Sequence, residues 1–138
     1  MHFISLKIPD VIQIIHPRHH DERGSFMELF RQQEFVAHCC RNRGDCADVN
    51  FVQDNLSCSR QGTLRGLHYQ IERPQGKLVQ VISGTIFDGG GFASEQSYLW
   101  SMGGLHLDAD SPMSLWIPGF AHGFYVLSEM ATVLLQVH

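Results

Sequence analysis

The side chains best suited to chemistry fall between Phe51 and Lys77 of the 138-residue chain. Phe51-Val52-Gln53-Asp54-Asn55-Leu56-Ser57 mixes polar and apolar residues at strand spacing. Alternate residues of a strand share a face, so Gln53, Asn55 and Ser57 stand together, as the wall of a polar pocket would need. Leu64-Arg65-Gly66-Leu67-His68-Tyr69-Gln70 then sets Arg65 and His68 beside a glycine. An imidazole titrates near neutrality and serves as a general base. A single strand histidine is more often hydrogen-bonded in a core, and from its position alone that is the favoured role of His68. Lys77, one of two lysines, opens the apolar run Leu78-Val79-Gln80-Val81-Ile82. A lysine there either meets an anion or guards an edge strand against aggregation, and position alone does not separate the two.

Three further residues carry similar choices. His122 lies in Pro118-Gly119-Phe120-Ala121-His122-Gly123-Phe124. Two histidines on neighbouring strands could hold a metal. Such a site would want another imidazole or carboxylate, and Gln70 stands where a second histidine is expected; a metal is therefore disfavoured. Arg23 and Arg65 have the planar fork that grips phosphate, with a surface ion pair as the ordinary alternative for Arg23. Phe26 could stack on a planar ligand, although a strand aromatic is more often core.

Short strands must position these groups. Val11-Ile12-Gln13-Ile14-Ile15 is β-branched and stopped by His16-Pro17. Ser25 to Phe30 follows the Gly24 turn as a strand, and Arg31 to Arg43 is predicted to be a helix that stops at Asn42-Arg43-Gly44. Leu78 to Ile82, Ser83-Gly84 and Thr85-Ile86-Phe87 read as a β-hairpin. Leu115 to Ile117, Phe124 to Leu127 and Thr132 to Val137 are further strands, separated by Pro118-Gly119 and Ser128-Glu129 turns. Many short strands with one helix predict an all-β sandwich or barrel in a single domain, with a jelly roll foremost.

Composition narrows the class. The chain is 43% hydrophobic and 17% charged, which is globular rather than disordered. Ten Lys+Arg against fourteen Asp+Glu give a net charge of -4, which weighs against nucleic acid or an anionic membrane as partner. No apolar run reaches the roughly 18 residues of a membrane span. Met1 to Lys7 lacks the pattern of a secretory signal, so a cytoplasmic setting is expected. His38-Cys39-Cys40 with Cys46 offers poor metal geometry, because adjacent cysteines do not readily point at one ion, and reduced thiols are expected instead.

In combination these stretches resemble the dTDP-4-dehydrorhamnose 3,5-epimerase family of nucleotide-sugar epimerases. The matching segments are Asp21 to Glu28, Phe51 to Ser57, Leu64 to Gln70, Gln75 to Val79, Gly84 to Asp88 and Leu115 to Ser128. Several motifs in one order are far more specific than any one of them. The resemblance implies a cupin-type jelly roll without metal or cofactor. It further implies a nucleotide-diphosphate sugar, dTDP-linked, as substrate, and a homodimer whose amino-terminal strands complete the partner's pocket. By the same resemblance His68 is the base and Lys77 the cation facing an enolate oxygen. Arg23, Phe26, Glu28, Gln53, Asn55 and Arg65 contact the nucleotide diphosphate and base, and His122 lies in the pocket wall.

The chain departs from the family pattern at three places. Leu135 occupies the position of the family's acid tyrosine, and leucine has no proton to donate. Gly89-Gly90-Gly91 follows Asp88 where an apolar strand is usual, so a loop is expected there. The sequence stops at His138, ahead of the segment that carries the family's histidine-orienting aspartate. Asp54, Asp88 or another subunit would then have to orient His68. The alternative function these departures raise is a relative that binds a sugar nucleotide, or partners an active epimerase, without turning substrate over.

Overall fold

Apolar residues that alternate in direction decide which strands lie deepest. In Gly76–Ser83 both Leu78 and Val79 are buried although they point to opposite faces, as in a central strand covered on both sides. The computed structural model describes residues 1–39, 49–72, 74–91, 103–110 and 113–138. In chain order the elements begin with β1 (His2–Ser5), β2 (Ile12–Ile15), β3 (Arg18–Asp21), β4 (Gly24–Met27) and α1 (Gln32–Cys39). They continue with β5 (Gln53–Arg60), β6 (Leu64–His68), β7 (Gly76–Ser83) and β8 (Thr85–Gly91). The last four are β9 (Gly103–Asp108), β10 (Met113–Pro118), β11 (Ala121–Val126) and β12 (Met130–Val137).

These strands build a sandwich and an arm. One sheet runs β1-β2-β10-β7-β12-β5, the other β6-β11-β8-β9, and β3 pairs with β4 alone. The main core lies between the two sheets. Val79, Leu115, Ile117 and Val133 of the larger sheet meet Ile86, Leu107, Phe124 and Val126 of the smaller one. Burying each such side chain stabilises the fold by roughly 1.5–3 kcal/mol. This is the all-β jelly-roll architecture expected from the sequence.

A second core covers the outer face of the larger sheet. There Phe35 of α1 packs with Ile12, Ile14 and Leu78, and the Phe30 and Phe51 rings meet edge to face at 5.1 Å. The Phe35 N–H donates to the Arg31 carbonyl at 3.0 Å, and Glu34 and His38 sit in the first and last turns, where the helix dipole favours them. The helix stop expected at Asn42 to Gly44 lies outside the described residues, as do Cys40 and Cys46; Cys58 is an exposed free thiol. Among the described residues no helix is long and apolar enough to cross a membrane.

Two expectations fail. The runs flanking Ser83-Gly84 are not a hairpin, because β7 belongs to the six-stranded sheet and β8 to the four-stranded one. Gly84, at φ +79°, turns the chain across the sandwich, and a side chain there would collide with the Met130 carbonyl. The glycine run is not a loop either: β8 continues through Gly91, with Gly89 opposite both Gly123 and Gly104. Ladder hydrogen bonds on both sides hold it extended without help from side-chain packing. Strands β1, β3 and β9 are additions that composition does not signal.

Candidate active site

A cavity of about 520 Å³ opens between the two sheets where the apolar core gives way to polar side chains. Strand alternation explains its lining. Leu78 turns outward to the helix-side core, so Lys77 and Val79 turn inward. On β5 the inward row is Gln53, Asn55, Ser57 and Ser59, and on β12 it includes Leu135, whose cross-strand partners are Asn55 and Val79. Lys77, Ser57 and Leu135 therefore reach the cavity from the six-stranded sheet. Arg65, His68 and His122 reach it from the four-stranded sheet.

The approach of β6 to β11 depends on glycine. Gly66 has φ +111°, and a Cβ there would stand 2.6 Å from the His122 carbonyl oxygen and 2.7 Å from the Gly123 Cα. With this close contact, His68 and His122 become direct cross-strand partners, and a bulge after His122 puts Arg65 opposite Phe124. The Arg65 Nε donates to Ser59 Oγ at 2.8 Å, which anchors the guanidinium and leaves its two Nη groups for an anion.

Behind the cavity lies a buried hydrogen bond between an imidazole and a carboxylate. His122 Nε2 is 2.8 Å from Asp88 Oδ2, with His122 3% and Asp88 0% exposed. The carboxylate accepts the ring N–H and so fixes the ring's orientation. The second oxygen of Asp88, Oδ1, is buried with no hydrogen-bond partner among the described residues. Desolvation pushes the half-buried Lys77 ammonium below the ordinary lysine range, and the charge of Asp88 opposes that shift.

The remaining expected residues lie elsewhere. Gln53 Nε2 donates to Asn55 Oδ1 at 2.8 Å, and this exposed pair extends the inward row of β5 beyond the cavity. Arg23, Phe26 and Glu28 are on or just after the arm. Arg23 pairs with Asp21 of its own hairpin at 2.6 Å, Glu28 pairs with Arg31 at 2.7 Å, and Phe26 is 74% exposed. They line separate hollows of about 230 and 350 Å³ rather than the His68 cavity. The orienting role expected for Asp54 or Asp88 is corrected as well: Asp88 holds His122, and Asp54 accepts from Gln136 Nε2 at 3.2 Å. Ser57 stands in the cavity wall as its place in the alternating row predicts, whereas Ser59, which anchors Arg65, is the next residue of the same row and was missed.

A jelly roll with an imidazole, an ammonium and a guanidinium around one polar cavity defines a protein built for acid–base work on an anionic ligand. The family model described as dTDP-4-dehydrorhamnose 3,5-epimerase matches residues 5–138. The dTDP-4-dehydrorhamnose 3,5-epimerase of Shigella flexneri is 46% identical over 142 residues, covering 100% of this chain and 75% of that protein. The Pseudomonas aeruginosa enzyme of the same name is 46% identical over 134 residues, covering 95% and 70%. Among solved structures, the Legionella pneumophila dTDP-6-deoxy-D-glucose-3,5-epimerase in complex with dTDP-4-keto-L-rhamnose superimposes with a TM-score of 0.89 at 37% identity, over 99% of this chain and 70% of that one. The chain belongs to the dTDP-4-dehydrorhamnose 3,5-epimerase family, a family of isomerases. These relatives favour an epimerase over a protein that only binds the nucleotide.

Proposed function

We propose that this chain epimerises a nucleotide-linked 4-keto-6-deoxy sugar, of the dTDP-4-dehydro-6-deoxyglucose type, at a carbon next to the ketone. The observation that carries the reading is the meeting of His68 and Lys77 in one cavity, reached from opposite sheets. A ketone acidifies the neighbouring C–H, and removing that proton leaves an enolate whose oxygen needs a positive group. His68 takes the proton and Lys77 faces the oxygen. Arg65 grips the diphosphate, and His122, held by Asp88, shapes the wall. The reaction is redox-neutral, so it calls for no electron-carrying cofactor.

Gln53 and Asn55 extend the binding face toward the nucleotide. Arg23, Phe26 and Glu28 serve the same ligand from the arm of a second copy, which makes the working form a homodimer. The reading places the chain in cytoplasmic deoxysugar synthesis for surface polysaccharide.

Proton NMR of dTDP-4-keto-6-deoxyglucose in deuterated water tests the proposal. Deuterium is expected at C3, at C5 or at both, with His68→Ala slowing its entry roughly 100- to 10,000-fold. Saturable nucleotide binding without any exchange would refute it and leave a sugar-nucleotide binding protein.

A further inference from the structure

Inversion at a carbon requires a proton taken from one face and another delivered to the opposite face. The two walls of the cavity are unequal in that respect. The four-stranded sheet supplies both imidazoles, His68 on β6 and His122 on β11, along with Arg65. The six-stranded sheet supplies Ser57, Lys77 and Leu135. Leucine holds no exchangeable proton, and a serine hydroxyl is far too weak an acid near neutrality. Among the described residues, Lys77 is therefore the titratable group of that wall. Its place is beside Leu135: Leu135 pairs with Val79 and Val137 with Lys77, so the two side chains are diagonal neighbours on the inward face.

We propose that Lys77 is the proton donor opposite His68, in addition to facing the enolate oxygen. The inference rests on the epimerase reading above. In the step, His68 takes the proton from the carbon next to the ketone, and the C–H electron pair moves onto the carbonyl oxygen. The Lys77 ammonium then gives one N–H proton to the other face of that carbon, the C=O bond re-forms, and the amine is left neutral. His68 returns its proton to solvent and Lys77 takes one back, so no other reagent is consumed.

The surroundings of Lys77 suit this role. Burial makes the ammonium less basic than a lysine in water, hence a better acid toward carbon. The charged or titratable groups around it are Asp88 on β8, Arg65 and His68 on β6 and His122 on β11. Its strand neighbours Ile117 on β10 and Val137 on β12 carry no charge.

The test separates exchange from inversion in deuterated water, using dTDP-4-keto-6-deoxyglucose and NMR. Lys77→Arg keeps the positive charge but cannot give up a proton near neutrality. It is expected to go on washing deuterium into the substrate, through return by His68 on one face, while inverted product falls roughly 100- to 10,000-fold. Adding Leu135→Tyr to Lys77→Arg supplies a new donor on the same wall and is expected to restore inversion. Unaltered protein provides a second measurement that no folding defect can confuse: the ratio of inversion to exchange should fall as pH rises and Lys77 deprotonates. A flat ratio, or Lys77→Arg inverting in the same proportion to exchange as its parent, overturns the donor role alone. Absence of exchange in the unaltered protein overturns the epimerase reading together with it.

Discussion

The carboxylate of Asp88 holds the His122 ring and biases the charge on Lys77 without reaching the cavity surface itself. Its oxygen Oδ2 accepts from His122 Nε2 at 2.8 Å, while Oδ1 stays buried and unpaired among the described residues. The charge on Asp88 counteracts the burial that makes Lys77 easier to deprotonate. Asp88→Asn removes that charge and keeps an oxygen to accept the ring N–H. Lys77 then deprotonates at lower pH, so the alkaline limb of the kcat profile is expected to move to lower pH with KM little changed. Steady-state kinetics across the pH range checks this, and an unmoved limb would show that Asp88 does not act on Lys77. At this scale the sequence was informative wherever a motif was contiguous. His68, Arg65, Lys77 and His122 lie in contiguous motifs whose family resemblance, rather than position alone, marked them, and they come together in space. The link from Asp88 to His122 spans 34 positions and depends on strand register, which the local sequence does not specify.

At the level of elements, composition revealed the buried strands, alternation revealed the polar β5, and β1, β3 and β9 went unsignalled. Val11, Ile12 and Ile14, and Leu78 and Val79, are buried apolar residues, so the runs Val11 to Ile15 and Leu78 to Ile82 were legible. Arg18–Asp21 carries charge and imidazole and is a strand only because Gly24–Met27 pairs with it. The false hairpin at Ser83-Gly84 has a similar origin, since a turn signal reports a reversal of the chain and not the sheet that it enters. One element junction also has a pH signature. His16 connects β2 to the arm, with Nε2 2.6 Å from Ser114 Oγ and Nδ1 buried without a hydrogen bond among the described residues. Burial lowers its pKa from 6.5, and nearby Glu28 opposes the shift. A base with a lowered folded-state pKa binds more protons when unfolded, so stability rises with pH through this window. The contribution is complete above about 6.5 and is lost as pH falls toward the folded value. Urea denaturation at stepped pH should show that loss, and His16→Gln, which can still bond Ser114, should flatten it. An identical slope in the variant would assign the pH dependence to another group.

The whole molecule presents a sandwich that is complete on the inside and an arm that is not. Many short strands announced the jelly roll, but nothing local announced an arm standing off it. Among the described residues β3 and β4 pair only with each other, and Arg18 Nη2 ties the hairpin to the body through the Ala109 carbonyl at 2.7 Å. A two-stranded hairpin is at best marginally stable in water, and this one presents Phe26 with 74% of its surface exposed. Among the described residues, the charge of Arg23 is matched by Asp21 of the same hairpin. An arm of this kind makes sense if its tip lies over the cavity of a second copy, which supplies the apolar cover and an anionic ligand for Arg23. That arrangement can be tested by mixing two inactive proteins, one carrying His68→Ala and the other Arg23→Ala with Phe26→Ala. If arm and cavity work across the dimer, a hybrid has one dead site and one site assembled from intact parts. Unfolding and refolding the equimolar mixture should then recover about a quarter of wild-type activity, because half the dimers are hybrids with half their sites working. If arm and cavity work within one chain, every protomer in the mixture carries a lesion, and no activity should return.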